Sequence, residues 1–240
     1  MIRSMLPLVL CFALSTSFGQ NRTTPYEFPV KPGTEEWKKL KTGEEMLAAC
    51  AIPEKVLASL TAEALARTCL SYPLLHEVTY ASNLQQGIIA VIRNFNGLTE
   101  LLARKDGAAA LMELYSGLNP LNLDMKQSEE QQGAFTFKFT YLELLLARPG
   151  ALLSLSTEQR SMLMKMAVSK YDGKVEKISV FGTFGLNTSA LLMASIMNAD
   201  NRITELKSKA GNDEIDIFLA MAATSNPKTI SLVYETARAY

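Results

Sequence analysis

The chain has 240 residues, 24 basic and 24 acidic side chains, one histidine and three cysteines. Charges of both signs are mixed along its length, so it lacks the basic patch from which nucleic-acid binding draws most of its affinity, and attraction to anionic membranes is disfavoured for the same reason. Its apolar fraction of 48% is that of a globular protein and is enough to build one domain with a substantial core.

The first residues divide into three parts. Arg3 and the amino terminus give a positive start, Met5 to Leu14 form an apolar run, and Ser15 to Gly19 are small and polar except for Phe18. That order predicts a cleavable secretory leader over residues 1–19, cut after Gly19. The run is about half the roughly 20 apolar residues that a membrane-spanning helix needs, so no integral membrane segment is expected after cleavage. Cys11 inside the run offers a lipid-anchor alternative, but Leu10 before it is large where a small residue is required. The expected location is outside the cytoplasm, in the periplasm or at the cell exterior. Loss of Arg3 with the leader leaves the remainder at a net charge of −1, with 23 basic against 24 acidic residues.

Residues 20–33 hold Pro25, Pro29, Pro32 and Gly33 and predict an extended arm whose alternating Tyr26, Phe28 and Val30 lay one face down. Residues 34–240 predict a single helical domain. Thr34 caps a first helix with Glu35 and Glu36 in its first turn, and Gly43 marks a break within it. Pro53 suits the start of a short helix, and Thr61 caps another that ends near Cys69. Leu84, Ile88, Val91, Ile92 and Phe95 make one stripe of a 3.6-residue period behind Asn83. A helical pair follows, hinged near Asp106-Gly107, and Asn119-Pro120 breaks the chain.

Asp124 to Arg148 predicts one long helix. Phe135, Phe137 and Phe139 alternate as a strand would, but no turn residue separates them from Leu144-Leu145-Leu146. Pro149-Gly150 stops it. Ser156 to Gln159 opens a helix running to Tyr171, with Asp172-Gly173 read as a turn. Leu186–Asn198, Asp213–Thr224 and Pro227–Ala239 complete the set. The fold class is all-α: an irregular stack or bundle of antiparallel helical pairs, for which HEAT- or armadillo-like stacking is one form, without a strict repeat period.

Tyr26-Glu27-Phe28-Pro29 followed by Lys31 to Trp37, then Thr68-Cys69-Leu70, Tyr72-Pro73-Leu74, Phe95-Asn96-Gly97-Leu98 and Arg104-Lys105-Asp106 form a recurring signature. It resembles a family of exported bacterial proteins of uncharacterised activity. The likeness covers residues 25 to 115 well and the rest more loosely. It implies export and a helical fold, and brings no catalytic residue or ligand.

Few constellations suggest chemistry. His76 alone excludes an H-E-x-x-H zinc site, and no G-x-S-x-G elbow accompanies it. Met162, Met164 and Met166 have the softness for copper(I), but a helix turns Met164 away from the other two, so core filling is the default. Gly182 to Gly185 precedes Thr188 and Ser189 at a helix start, a place for phosphate, yet no Walker lysine follows; a plain turn is the simpler reading. No catalytic residue, metal or cofactor is expected.

Glu143 lies in an apolar helix, where burial suits a general acid, so a carboxylate-dependent hydrolase of cell-wall glycans is one alternative function. An apolar-ligand-binding bundle is another. Cys50 and Cys69, 19 residues apart, are a candidate disulfide, or else two buried thiols. The leading expectation is a non-catalytic exported domain that binds a protein or peptide partner. No oligomeric state is implied.

Overall fold

The computed structural model describes residues 21–240. The leader expected over 1–19, with Cys11, lies outside the described residues. What is described is all-α: helices joined by short turns, with no strand among the described residues.

The amino-terminal part is built from short helices: α1 (Glu35–Lys39), α2 (Gly43–Ala49), α3 (Glu54–Ser59), α4 (Ala62–Leu70), a 3₁₀ segment (Leu75–Tyr80), α5 (Leu84–Asn94), α6 (Asn96–Ala103) and α7 (Gly107–Ser116). Their starts follow local chemistry. Thr34, Thr42, Thr61 and Asn83 each accept a hydrogen bond from a backbone N–H of the first turn, and Glu45 completes a capping box with Thr42. The arm adds no sheet. Arg22 makes a single parallel bridge to Leu60, the Tyr26 N–H donates to Thr68 Oγ1 at 2.9 Å, and Phe28 is buried.

Aromatic stacking and side-chain clamps hold this part together. The Tyr72 and Phe95 rings stack with centroids 3.9 Å apart, and Phe28 lies about 6 Å from both. Asn96 closes a two-way bond with the Ile52 backbone, accepting from its N–H at 3.1 Å and donating to its carbonyl at 2.7 Å. Arg104 donates to the Leu57 and Leu60 carbonyls at the end of α3, where intrahelical partners run out. At Gly87 the 3₁₀ segment lies so close that a Cβ would sit 2.0 Å from the Val78 carbonyl oxygen.

The carboxyl-terminal part is built around three long helices: α8 (Glu129–Leu146), α10 (Thr157–Glu176) and α11 (Ile178–Ala199). A 3₁₀ turn (Pro120–Asn122) precedes α8, α9 (Pro149–Ser154) links it to α10, and α12 (Thr204–Ala210), α13 (Asn212–Met221) and α14 (Pro227–Arg238) close the chain. Serine capping boxes, Ser128 with Gln131 and Ser156 with Gln159, start α8 and α10. Helix α8 therefore begins at Ser128 rather than Asp124. Residues 190–197 of α11 are all buried, which explains how a helix long and apolar enough to cross a bilayer serves as the centre of the fold.

One local expectation is corrected. Asp172-Gly173 is not a turn: α10 runs on to Glu176, and Gly173 is where it crosses the 3₁₀ turn, with Pro120 carbons 3.1–3.5 Å from the position of a Cβ. The break lies further on. Gly182, at φ 59° and ψ −175°, bends α11 after its first turn in a conformation open only to glycine. Helices α9 and α12 were not foreseen; both are short, and α12 buries only Leu206.

Gly87→Ala is expected to destabilise the fold by about 1–3 kcal/mol through overpacking against Val78, read as a lowered thermal midpoint. An unchanged midpoint would show that α5 and the 3₁₀ segment are not in close contact.

Candidate functional site

Glu143, the carboxylate singled out in the sequence, lies on the inner face of α8 and is 0% exposed. Its partner is Lys174 of α10, also 0% exposed, whose Nζ donates to both carboxylate oxygens at 2.7 Å. Three hydroxyls complete the carboxylate's shell: Tyr115 of α7 donates to Oε1 at 2.8 Å, Ser189 to Oε1 at 2.7 Å and Thr188 to Oε2 at 2.5 Å. The ammonium in turn reaches the Gly185 carbonyl and Ser189 Oγ, each at 2.9 Å. The Phe139 and Phe181 rings lie 5.4 and 5.7 Å from it and shut out water.

Gly185, Thr188 and Ser189 all lie on the regular part of α11 beyond the bend at Gly182 and reach this cluster. Thr188 and Ser189, which a phosphate site after Gly182 to Gly185 would have used, are spent on Glu143, and Thr183 to Gly185 lie within α11 rather than in a plain turn. No buried side-chain nitrogen or oxygen among the described residues is left without a partner. A buried pair survives only when its remaining lone pairs and protons are bonded in this way. The Ser189–Lys174 contact resembles a nucleophile and its base, but Lys174 is held by a carboxylate and neither residue touches a cleft.

Burial pushes the Lys174 ammonium below the usual lysine range, with Glu143 opposing the shift. Burial, and then the Glu143 charge, pushes the Tyr115 phenol well above its ordinary value. Lys170, one turn before Lys174, lies with its Nζ 4.8 Å from the Tyr115 ring centroid and is lowered by burial.

The other sequence candidates are scattered. Cys50, at the end of α2, and Cys69, in α4, are free thiols, both buried. Burial, then the Glu77 charge, pushes Cys50 up to about 11, and burial pushes Cys69 higher still, which suppresses the reactive thiolate at neutral pH. His76 is exposed in the 3₁₀ segment, with Nδ1 3.1 Å from the Pro73 carbonyl. Met164 is in the core while Met162 is half-exposed, so the methionines face apart.

An open groove that the sequence did not signal lies between α5, α9, α11 and α13, with a volume of about 590 Å³. Gln85 and Ile89 of α5 line it, with Arg148, Pro149, Leu152 and Leu153 at the start of α9, Ser195, Asn198 and Ala199 of α11, Asn201, and Leu219 and Ala220 of α13. Arg148 is the only charged residue lining it. Its guanidinium has a single long contact, 3.5 Å to Gln85 Oε1, and no carboxylate within 4.0 Å among the described residues. Gln85 is itself fixed by donating to the Leu219 carbonyl at 2.9 Å. Leu153 is 68% exposed on the rim. The elements beneath are firmly set: Arg160 of α10 donates to the Leu155 carbonyl at 2.6 Å and to Asp200 at 2.5 Å, tying the end of α9 to the end of α11. Asn201 takes the left-handed conformation (φ 56°) that ends α11.

Comparison with family models, with curated proteins and with solved structures found no match for this chain.

Removing either charge of the buried pair, by Glu143→Gln or Lys174→Met, is expected to destabilise the protein by about 3–5 kcal/mol. The double variant should cost less than the two singles together, by roughly 0.5–3 kcal/mol, in a denaturant-unfolding cycle. Strict additivity would mean the two groups do not interact. Stability should also fall as pH rises from about 9 upward. Cys50 (raised to about 11) and Tyr141 and Tyr240 (each to about 12) keep their protons in the folded chain while the unfolded chain loses them. The lowered Lys170 and Lys174 act in the opposite sense, but the raised thiols and phenols, with Cys69, Tyr72, Tyr115 and Tyr171 among them, outnumber them. Unfolding midpoints between pH 8 and 11 check this, and a midpoint rising over that range would contradict it.

Proposed function

We propose that this chain is an exported helical domain, working in the periplasm or at the cell exterior, that binds a protein or peptide partner and catalyses no reaction. The observation that carries the binding reading is the groove over α5, α9, α11 and α13: apolar walls, an exposed Leu153 at the rim and one cation without a counter-charge. The groove's volume falls in the range of about 300–1,000 Å³ typical of ligand sites.

Export rests on the order of positive, apolar and small residues before Gln20. The likeness to the exported bacterial family is in keeping with it. The residues that carry that likeness also have a packing role: Phe28, Tyr72 and Phe95 form one aromatic cluster, and Asn96 and Arg104 clamp backbone. They hold the amino-terminal helices together and leave the groove on other residues. The glycan-hydrolase alternative draws on Glu143, whose oxygens are all bonded inside the protein; that chemistry would have to use other carboxylates.

A photo-cross-linking residue at position 153, in the protein expressed in its native envelope, is expected to trap one discrete adduct that is missing when the same residue replaces Val175, exposed on α10. Identical adduct patterns at both positions, or material that retains Met1, would contradict the reading.

A further inference from the structure

The groove carries more than a general affinity for apolar partners. Five polar side chains, Gln85, Arg148, Ser195, Asn198 and Asn201, lie among its apolar walls, and none is spent on a neighbouring carboxylate. The Arg148 guanidinium offers its donors to one carbonyl oxygen at 3.5 Å, beyond good hydrogen-bond length. Asn198 and Asn201 have no side-chain hydrogen bond among the described residues, and Ser195 lies beside them on α11. Next to them, Ile89 and Leu153 are among the few large apolar side chains left exposed on the surface.

A guanidinium presents a planar fork that matches a carboxylate in two parallel bonds, and such bonds are stronger where apolar walls reduce competition from water. A half-buried arginine without a counter-charge in an apolar groove is therefore placed to exchange its water for an anion. Side-chain amides are both donors and acceptors and pair with the N–H and C=O groups of an extended peptide. Those two requirements, with an apolar rim, describe a single kind of occupant.

Resting on the partner-binding reading above, we propose that the groove binds a short peptide segment bearing a carboxylate. The carboxylate sits on Arg148, the backbone lies along Asn198 and Asn201, and an apolar side chain packs against Ile89 and Leu153. The amides favour a peptide over a fatty acid, whose chain has no group to meet them. The carboxylate is that of a free carboxyl terminus, whose two oxygens match the guanidinium fork while every side chain of the peptide stays available to the apolar rim.

The test uses the mature chain and three N-acetylated probes, followed by ¹H–¹⁵N NMR titration: Leu-Leu-Leu with a free carboxylate, Leu-Leu-Leu amide, and Leu-Glu-Leu amide. The free acid should shift the amides of Ala147, Asn201 and Leu219, and amidation should weaken binding at least about tenfold. Leu-Glu-Leu amide, which lacks a terminal carboxylate, should not recover the affinity; full recovery would place the carboxylate on a side chain and overturn the assignment to a chain terminus. Arg148→Gln should erase the acid–amide difference while leaving the thermal midpoint and the unbound spectrum in place, and Arg148→Lys should restore part of it. Equal affinity for acid and amide overturns the inference and leaves the partner reading standing if the cross-link at position 153 forms. Tighter binding of lauric acid than of any peptide, or no shift with any probe, also overturns it; the latter, together with no discrete adduct at position 153, overturns both.

Discussion

The carboxyl-terminal half of this fold is organised around one ion pair. Taking Glu143 and Lys174 out of water costs several kcal/mol per ion, and their attraction offsets that only if every remaining lone pair and proton is bonded. That condition reaches into four helices. Tyr115 must come from α7, Glu143 from α8, Lys174 from α10, and Thr188, Ser189 and the Gly185 carbonyl from α11. A slip of any one helix by a single residue would strand a charge in an apolar interior. Hydrophobic burial around Leu191–Met197 favours compaction without dictating register, whereas the pair accepts one arrangement.

This arrangement separates two kinds of polar residue that look alike in a sequence. The densest polar cluster in the protein is sealed and serves the fold. The residues free to interact with something else, Arg148, Asn198 and Asn201, sit singly at helix ends and on a groove wall, in no motif. Arg104 and Arg160 show the same division among arginines: each is absorbed by carbonyls at a helix end and a carboxylate. Arg148 has neither partner.

Much of the architecture was legible because helix starts are written locally. Thr34, Thr61, Asn83, Ser156 and Pro227 each stand where a helix begins, and the α5 stripe of Leu84, Ile88 and Val91 is buried as its period requires. The choice of helix for the alternating phenylalanines also follows the backbone. What was not legible depends on distant partners. Gly173 reads as a turn residue until Pro120 is seen against it. Lys174 lies past Asp172-Gly173, the turn expected to follow the helix; once α10 runs on to Glu176, Leu163, Ala167, Lys170 and Lys174 fall at i, i+4, i+7 and i+11, one continuous buried stripe. That spacing was the available signal for Glu143's partner. The groove had none, because its walls come from four helices far apart in the chain.

The central claim is that the Glu143–Lys174 cluster is a closed structural element, and amine reactivity tests it most directly. Under native conditions, limited reductive methylation with mapping by mass spectrometry should modify the exposed lysines, such as Lys138 and Lys165, and leave Lys174 untouched until the protein unfolds. Methylation of Lys174 at the rate of those surface lysines would mean that the pair opens to solvent in the native state, and would contradict the account.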